Sequence, residues 1–343
     1  MTHFTYLLGA GASFNSIPIV TEFEDRLQFH LDLLEGTRLG HETNRVHLDA
    51  YLDEVKDLKP KLQHYTSVDT YAKFLKLKGQ EKEYHSLKNC LTMFFMIEQF
   101  VNLENIRLTF KSNLENKKPY RLDPRYNNFI VSLMNRPKWP SNLKVLSWNY
   151  DFQLQLAANS ISYDLAKYYP CEYDETQVDL FHLNGIAGIS RENQLILDRD
   201  TERSLDAVIR HWEDLTRGRG YNQYMKYAWE SNLDFGPVED HLKKSDVLVV
   251  IGYSFPFFNR DVDYKIFDLL QQGNSLKKIY FQNGILNGEF LYEQFNLKRP
   301  SPDDTRMMEL LAPGPPPRET EVYIEQYKEL DRFFIPREYQ YQD

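Results

Sequence analysis

The segment 246–251 (DVLVVI) constrains the fold of this 343-residue chain more than any other, because it is apolar at nearly every position. A strand with one side in water alternates apolar and polar residues, whereas a parallel strand covered by helices on both faces is apolar throughout. Other short apolar runs alternate with helical patterns, and they cover 4–8, 143–148, 178–183 and 278–282. This alternation predicts an α/β fold, a Rossmann-like doubly wound parallel sheet.

A large helical insertion interrupts the strand pattern. Cap residues and a 3.6-residue period predict helices over 68–77 after Ser67, over 86–103, from Asp123-Pro124 to Met134, and over 260–272 after Asn259. We therefore expect a core of residues 1–25 and 143–283, with the insertion at 26–142. The remaining residues, 284–343, contain a proline-rich linker and one expected helix over 321–334.

The composition excludes several classes of function. A net charge of −9 argues against direct nucleic-acid binding, which needs clustered Lys and Arg. The two cysteines, Cys90 and Cys171, are too few for a four-thiolate zinc site, so we expect no metal. No secretory signal is visible, and no apolar run approaches the ~20 residues that span a bilayer. We expect a cytoplasmic protein that makes no membrane contact.

The first strand run ends in a glycine-rich turn, Gly9-Ala10-Gly11-Ala12-Ser13. Glycines let a backbone approach a phosphate closely, and the N–H groups at the start of a following helix attract its charge. This turn is therefore the candidate dinucleotide site. A dehydrogenase fingerprint would place a third glycine at position 14, where this chain has Phe14. A glycine-rich turn without a ligand is the alternative.

Three further turns follow predicted strands, and each combines small and polar residues. They are Asn149-Tyr150-Asp151, then His182-Leu183-Asn184-Gly185, then Gly252-Tyr253-Ser254-Phe255-Pro256 with Asp261 soon after. Each has a plain structural explanation as a helix cap, a packed strand-end histidine or a tight turn. Because the carboxyl ends of parallel strands share one edge of the sheet, we expect all four turns to lie together, where such folds bind ligands.

These turns resemble the ordered motifs of sirtuin-like proteins, and most closely those of prokaryotic sirtuin-like NAD hydrolases of anti-phage defence. The resemblance includes Ile17-Pro18 after the first turn and covers roughly residues 1–25 and 143–283. It implies a Rossmann core that binds NAD, with a catalytic asparagine and histidine. The implied NAD-contacting residues are Gly9, Ala10, Gly11, Ala12, Ser13, Pro18, Asn184, Gly185, Gly252, Tyr253, Ser254 and Asp261.

The implied reaction is NAD glycohydrolysis, which yields nicotinamide and ADP-ribose. Protein deacylases of this family usually carry a four-cysteine zinc module that this chain cannot build, which favours NAD cleavage. Asn149 is expected to orient water or a ribose hydroxyl, His182 to accept the proton, and Asp151 to support the ribose side. The family commonly has histidine where this chain has Asn184. Residues 182 and 184 would share one face of a strand, so either could reach the ribose.

Two other functions are compatible with the same residues. A non-catalytic NAD or ADP-ribose sensor would explain the displaced histidine, whereas a nicotinamide-dependent dehydrogenase is disfavoured by Phe14. The resemblance implies a homo-oligomer and a partner such as a HerA-type translocase ATPase or a short Argonaute. Cleavage of NAD by the pure protein would separate the hydrolase from the sensor.

Overall fold

The computed structural model describes residues 1–65, 67–103, 106, 122–135, 138–161, 168–169, 179–191, 194–195, 204–217, 221–230, 233–300 and 320–339. Its centre is a parallel sheet of β1 (Phe4–Leu8), β2 (Leu143–Ser147), β3 (Tyr168–Tyr169), β4 (Leu180–His182), β8 (Val247–Ile251), β9 (Lys278–Gln282) and β10 (Tyr323–Tyr327). A small antiparallel sheet contains β5 (Ile189–Arg191), β6 (Gln194–Leu195) and β7 (Tyr221–Gln223). The predicted α/β class and the predicted strands are confirmed.

The strands lie in the order β10-β9-β8-β1-β2-β4-β3. From the central β1 the chain builds one half of the sheet through β2, β3 and β4, and then crosses to the other side of β1 to build β8, β9 and β10. The direction of strand order therefore reverses between β1 and β8. In open parallel sheets the crevice at such a reversal, outside the carboxyl ends of the strands, is where ligands bind.

Each described helix packs either on the sheet or with the insertion. They are α1 (Phe23–Leu34), α2 (Glu42–Leu62), α3 (Val68–Leu77), α4 (Glu81–Phe100), α5 (Pro124–Leu133), α6 (Gln153–Ser160), α7 (Leu205–Ile209), α8 (Trp212–Arg217), α9 (Gly236–Lys244), α10 (Arg260–Gln272) and α11 (Phe290–Gln294). None of them has the length and apolar character that a membrane crossing requires.

Each face of the sheet has its own apolar core. Helices α9, α10 and α11 pack on one face, against inward residues such as Leu7, Leu146 and Val250. Helices α5 and α6 cover the other face together with the C-terminal residues around Phe333. Helices α1 to α4, with α7 and α8, form a third core that also takes in Phe152 from the sheet domain.

Two parts of the chain differ from the sequence-based expectation. Helix α5, expected within the insertion, packs on the sheet beside β1 and β2. The helix expected over 321–334 is wrong, because residues Tyr323–Tyr327 form β10 and pair in parallel with β9. None of the five residues of this strand, YIEQY, is buried, which suits a strand at the edge of the sheet.

A buried charged network holds the insertion together. The Arg26 guanidinium donates from Nε to Glu98 Oε1 at 2.7 Å and from Nη2 to Oε2 at 2.9 Å. His30 Nε2 lies 2.6 Å from the same Oε1, and its Nδ1 lies 2.8 Å from the Tyr51 hydroxyl. Burial opposes ionisation of Glu98, but the Arg26 charge and the His30 contacts outweigh it and lower the pKa of Glu98 to about 2.

We predict that Glu98→Ala lowers the free energy of unfolding by about 3–5 kcal/mol, because it removes the carboxylate that pairs with the buried Arg26 guanidinium and contacts His30. Asp49→Ala is the matched control, since it removes the carboxylate of the more exposed Arg45–Asp49 pair. That pair should contribute about 0.5 kcal/mol or less. Urea unfolding followed by circular dichroism measures both, and equal small losses would contradict the prediction.

Candidate ligand site at the carboxyl edge

The four candidate turns lie side by side at the carboxyl edge of the sheet, as predicted. Backbone hydrogen bonds join each turn to the end of the neighbouring strand: Gly252 N to Gln282 O at 2.9 Å, Gly9 N to Ile251 O at 3.0 Å, Trp148 N to Leu8 O at 2.9 Å and Leu183 N to Ser147 O at 2.8 Å. The ladder of the sheet thus continues past the ends of the strands, so the turns are fixed relative to one another.

The glycine turns after β1 and β8 interlock at the point where strand order reverses. Gly11 N donates to Gly252 O at 2.9 Å. A Cβ atom on Gly9 would lie 2.6 Å from Tyr253 Cα, and one on Gly252 would lie 2.4 Å from Ala12 N. Gly252 also has φ +61°, a conformation that side chains with a Cβ disfavour. Close packing of two backbones therefore requires these glycines, whether or not a ligand binds.

The first turn differs in one respect from the expectation. Residues Ala10–Ser13 form a single 3-10 turn, and the first α-helix begins only at Phe23. The amides of Gly9, Gly11 and Ala12 donate to carbonyl groups of the protein. No α-helix starts at this turn, contrary to the expectation, so a helix dipole is not directed at the carboxyl edge here.

A polar cluster surrounds the Ser13 hydroxyl beside these turns. Asn149 Nδ2 donates to Ser13 Oγ at 3.1 Å, and Tyr126 OH lies 2.8 Å from the same oxygen. Burial raises the pKa of Asp151 to about 6, although the Ser13 hydroxyl and the Gln153 amide stabilise its carboxylate. The structure thus brings the predicted Ser13, Asn149 and Asp151 together, and it adds Tyr126.

Successive side chains of the loop that carries Asn149 and Asp151 face the insertion and the glycine turn alternately. Tyr150 packs on Phe95 of α4 with ring centroids 5.6 Å apart, and Phe152 belongs to the core of the insertion. The backbone N–H of Phe152 donates to the side chain of Gln99, also on α4. The insertion therefore holds the loop from one side while Asn149 and Asp151 face the glycine turn.

His182 lies at the end of β4 but is almost fully buried, with 1% of its surface exposed. Its Nδ1 is 3.2 Å from the carbonyl oxygen of Asn149, which can only accept, so Nδ1 carries the proton. Its Nε2 is 2.8 Å from Gln155 Nε2 and accepts from that amide. Burial lowers the pKa of His182 to about 4, which keeps the ring neutral. This arrangement suits an imidazole that positions the Asn149 loop.

Asn184 and Gly185 follow in the same turn. Asn184 Nδ2 donates to Trp148 O at 3.2 Å, while its buried Oδ1 has no hydrogen-bond partner among the described residues. Gly185 has φ +65°, and a Cβ there would overlap Tyr224 O at 1.8 Å. The side-chain oxygen of Asn184, Oδ1, is therefore a candidate acceptor for a ligand hydroxyl.

The turn after β8 rests on a buried polar group. The Tyr253 hydroxyl donates to Asp263 at 3.1 and 2.8 Å, and Asn259 Nδ2 donates to that hydroxyl at 3.0 Å. Asn259 therefore precedes α10 as predicted, but its side chain binds Tyr253 and does not cap the helix. Ser254 and Asp261 are exposed and Pro18 is buried, and among the described residues none of the three forms a hydrogen bond or ion pair with the Ser13 cluster.

Sequence reasoning missed the residues of α5 and α6 that complete the site. Tyr126 contacts Ser13, Arg125 donates to Ala12 O at 2.8 Å, and Gln155 binds His182. Neither helix carries a ligand motif, and the only local signal is the Asp123-Pro124 cap of α5. Of the described residues, no group of three His, Cys, Asp or Glu is placed to hold a metal ion, and Cys171 lies outside the described residues.

Comparison with known proteins adds no family to this geometry. No model of a known protein family matches the chain, and no curated protein matches it in sequence.

We predict that Gly252→Ala destabilises the protein by about 1–3 kcal/mol more than Gly79→Ala does, the cost of forcing atoms into a packed region. Both glycines have positive φ, +61° and +68°, but a Cβ on Gly79 would meet nothing within 4 Å. The comparison therefore isolates the contact between the two turns from the backbone conformation. Thermal and urea unfolding measure it, and equal losses would show that the turns do not interlock.

The buried carboxyl group of Asp263 makes the stability of the protein depend on pH. Burial raises its pKa to about 8, whereas in the unfolded chain a carboxyl group ionises near ~4. The folded state then binds one proton more than the unfolded state between these values, so stability falls as pH rises from 4 towards 8. Asp263→Asn, which keeps an oxygen for Tyr253, should gain on the order of 3 kcal/mol relative to wild type between pH 5.5 and 8.5. Asp261→Asn is the exposed control, and parallel pH curves for Asp263→Asn and wild type would disprove the prediction.

Proposed function

We propose that this chain binds NAD between the β1 and β8 turns and hydrolyses the bond between nicotinamide and ribose. The proposal is supported by three features that lie at one place on the carboxyl edge of the sheet. They are the reversal of strand order, the interlocked glycine turns and the Ser13–Asn149–Asp151 cluster. Parallel α/β sheets bind dinucleotides in this crevice.

The residues present fit the chemistry of the reaction. Loss of nicotinamide leaves a positively charged, oxocarbenium-like ribose, which a nearby carboxylate stabilises. Among the four clustered side chains, Asp151 has a pKa near neutrality, about 6, so it is largely ionised at pH 7. Asn149 offers an amide that orients a hydroxyl group or the attacking water. Water adds to the ribose, nicotinamide leaves, and one proton is released to Asp151 and then to solvent.

This assignment changes the role of His182 from the one we expected. A ring that is 1% exposed, with a pKa of about 4 and both nitrogens bound, does not accept a proton from water at neutral pH. We propose that His182 positions the Asn149 carbonyl group and that Asp151 takes the proton. Asn184, with its unpaired Oδ1, is the candidate acceptor for a ribose hydroxyl.

A second candidate function follows from the same histidine. A site without a titrating imidazole can bind NAD or ADP-ribose without cleaving it, which makes the chain a sensor or a regulatory subunit. The resemblance to anti-phage NAD hydrolases suggests the same biological setting for either function. It suggests a cytoplasmic homo-oligomer that depletes or senses NAD together with a HerA-type translocase ATPase or a short Argonaute.

Chromatographic separation of nicotinamide and ADP-ribose from NAD, with and without a candidate partner, tests the hydrolase. We expect Asp151→Asn to lower the rate by about 10²–10⁴-fold, the usual contribution of a positioned proton-transfer group. Asn149→Ala should abolish cleavage, because it removes the amide that orients the water or the ribose hydroxyl. The wild-type rate should rise with pH through about 6, because Asp151 acts as a carboxylate. Asn128→Ala, an exposed asparagine on α5, is the matched control and should leave the rate unchanged.

Binding separates the two functions. Titration calorimetry with NAD should show binding by wild type and by the catalytic variants. Binding without cleavage, even with a partner, would establish the sensor and reject the hydrolase. Absence of NAD and ADP-ribose binding would reject both.

A further inference from the structure

The C-terminal strap, residues 329–335, is bound at the carboxyl end of β9 by the Gln282 side chain. Gln282 Nε2 donates to the carbonyl oxygens of Glu329 at 2.5 Å and Arg332 at 2.7 Å. Gln282 Oε1 accepts from Phe334 N at 3.0 Å. The strap is therefore held by its backbone at the edge that carries the candidate ligand site.

Arg125 connects this strap to the glycine turn. Its Nη1 donates to Leu330 O in the strap at 2.9 Å, and its Nη2 donates to Ala12 O in the turn at 2.8 Å. Asp123 accepts from Nε and Nη2 of the same guanidinium, at 2.5–3.0 Å. The Arg125 side chain is 4% exposed, so each of these acceptors balances a charge that water does not reach.

Aromatic contacts reinforce the same connection. Arg125 Cζ lies 4.3 Å from the centroid of the Phe14 ring and 5.3 Å from that of Phe333, so the cation is placed between one ring of the turn and one of the strap. Phe333 also packs edge-on against Tyr126, with centroids 4.7 Å apart. The Tyr126 hydroxyl in turn lies 2.8 Å from Ser13 Oγ. Strap and turn thus share two neighbouring residues of α5.

We propose that Arg125 and Tyr126 are positioning residues through which the docked C-terminal strap holds the Gly9–Ser13 turn in its ligand-binding shape. If the strap leaves, Arg125 loses the Leu330 acceptor and the Phe333 ring at once. A buried guanidinium that loses an acceptor must move towards another one or towards water. That movement withdraws its donor from Ala12 O and removes the packing that orients Tyr126 against Ser13. A partner that displaces the strap would therefore alter the turn.

Hydrogen exchange measured by mass spectrometry on the full chain tests the coupling without any ligand. Arg125→Lys keeps the charge beside Asp123, but a single ammonium group cannot reach both carbonyls in the planar geometry of a guanidinium. We expect exchange to rise about tenfold in residues 9–16 and in the strap together, the effect of losing a hydrogen bond from a charged donor. Exchange in α10 should not change. Arg332→Lys, the same substitution at an exposed strap position, is the matched control and should change neither segment.

Phe333→Leu tests the coupling from the strap side. It also keeps the test decisive if Arg125→Lys causes a folding defect. It keeps an apolar side chain but removes the ring that contacts Arg125 and Tyr126. We expect faster exchange in residues 9–16, because Arg125 and Tyr126 contact both Phe333 and that turn. A rise confined to the strap, or no rise in either variant, would overturn the proposal. If Arg125→Lys raises exchange in α10 as well, the Phe333→Leu result decides.

The consequence for the ligand rests on the proposed function and has its own measurement. Both variants should bind NAD about tenfold more weakly than wild type in titration calorimetry, in proportion to the loss of the turn's shape. Unchanged NAD affinity together with faster exchange would reject the role in ligand binding. If wild type binds no NAD, the proposed function fails, and the exchange data still decide whether strap and turn are coupled.

Discussion

The contact between the glycine turns after β1 and β8 is the constraint on which the site depends. Backbone lies against backbone there, since a Cβ on Gly9 or Gly252 would come within 2.7 Å of the opposite turn. This contact lies where strand order reverses, which is the place where open parallel sheets bind ligands. The sequence pattern of these glycines predicts a phosphate-binding turn, but the close packing of the two backbones already requires glycine at these positions.

Two distant parts of the chain hold the site from different sides. The insertion takes up Tyr150 and Phe152, and the alternation of the loop then directs Asn149 and Asp151 towards Ser13. Helix α5 reaches Ser13 from another direction through Tyr126 and connects it to the C-terminal strap. Both supports come from segments that a motif search would assign to an insertion or a tail, and both contact the loops that bear the candidate chemistry.

Burial decides which of the candidate groups can titrate. An imidazole has an ordinary pKa near ~6.5, which is why the sequence favours His182 as the proton acceptor. In the folded chain burial lowers its pKa to about 4, and the same effect raises the pKa of Asp151 to about 6. Loss of water disfavours the charged form of both groups, so it makes the histidine a neutral hydrogen-bonding residue and the aspartate a group poised near neutrality.

The sequence by itself determined the parallel sheet, the caps at Ser67 and Asp123, and the position of four turns at one edge, because hydrophobic period and turn chemistry are local properties. It also brought Asn149 and Asp151 to Ser13, since parallel strands end at a common edge. Only the tertiary structure decided that residues 323–327 form a strand, that a 3-10 turn follows β1, and that Arg125 and Tyr126 belong to the site. These outcomes depend on contacts between residues more than 40 positions apart, such as Ile279 with Ile324 and Ser13 with Tyr126, which leave no periodic pattern in the chain.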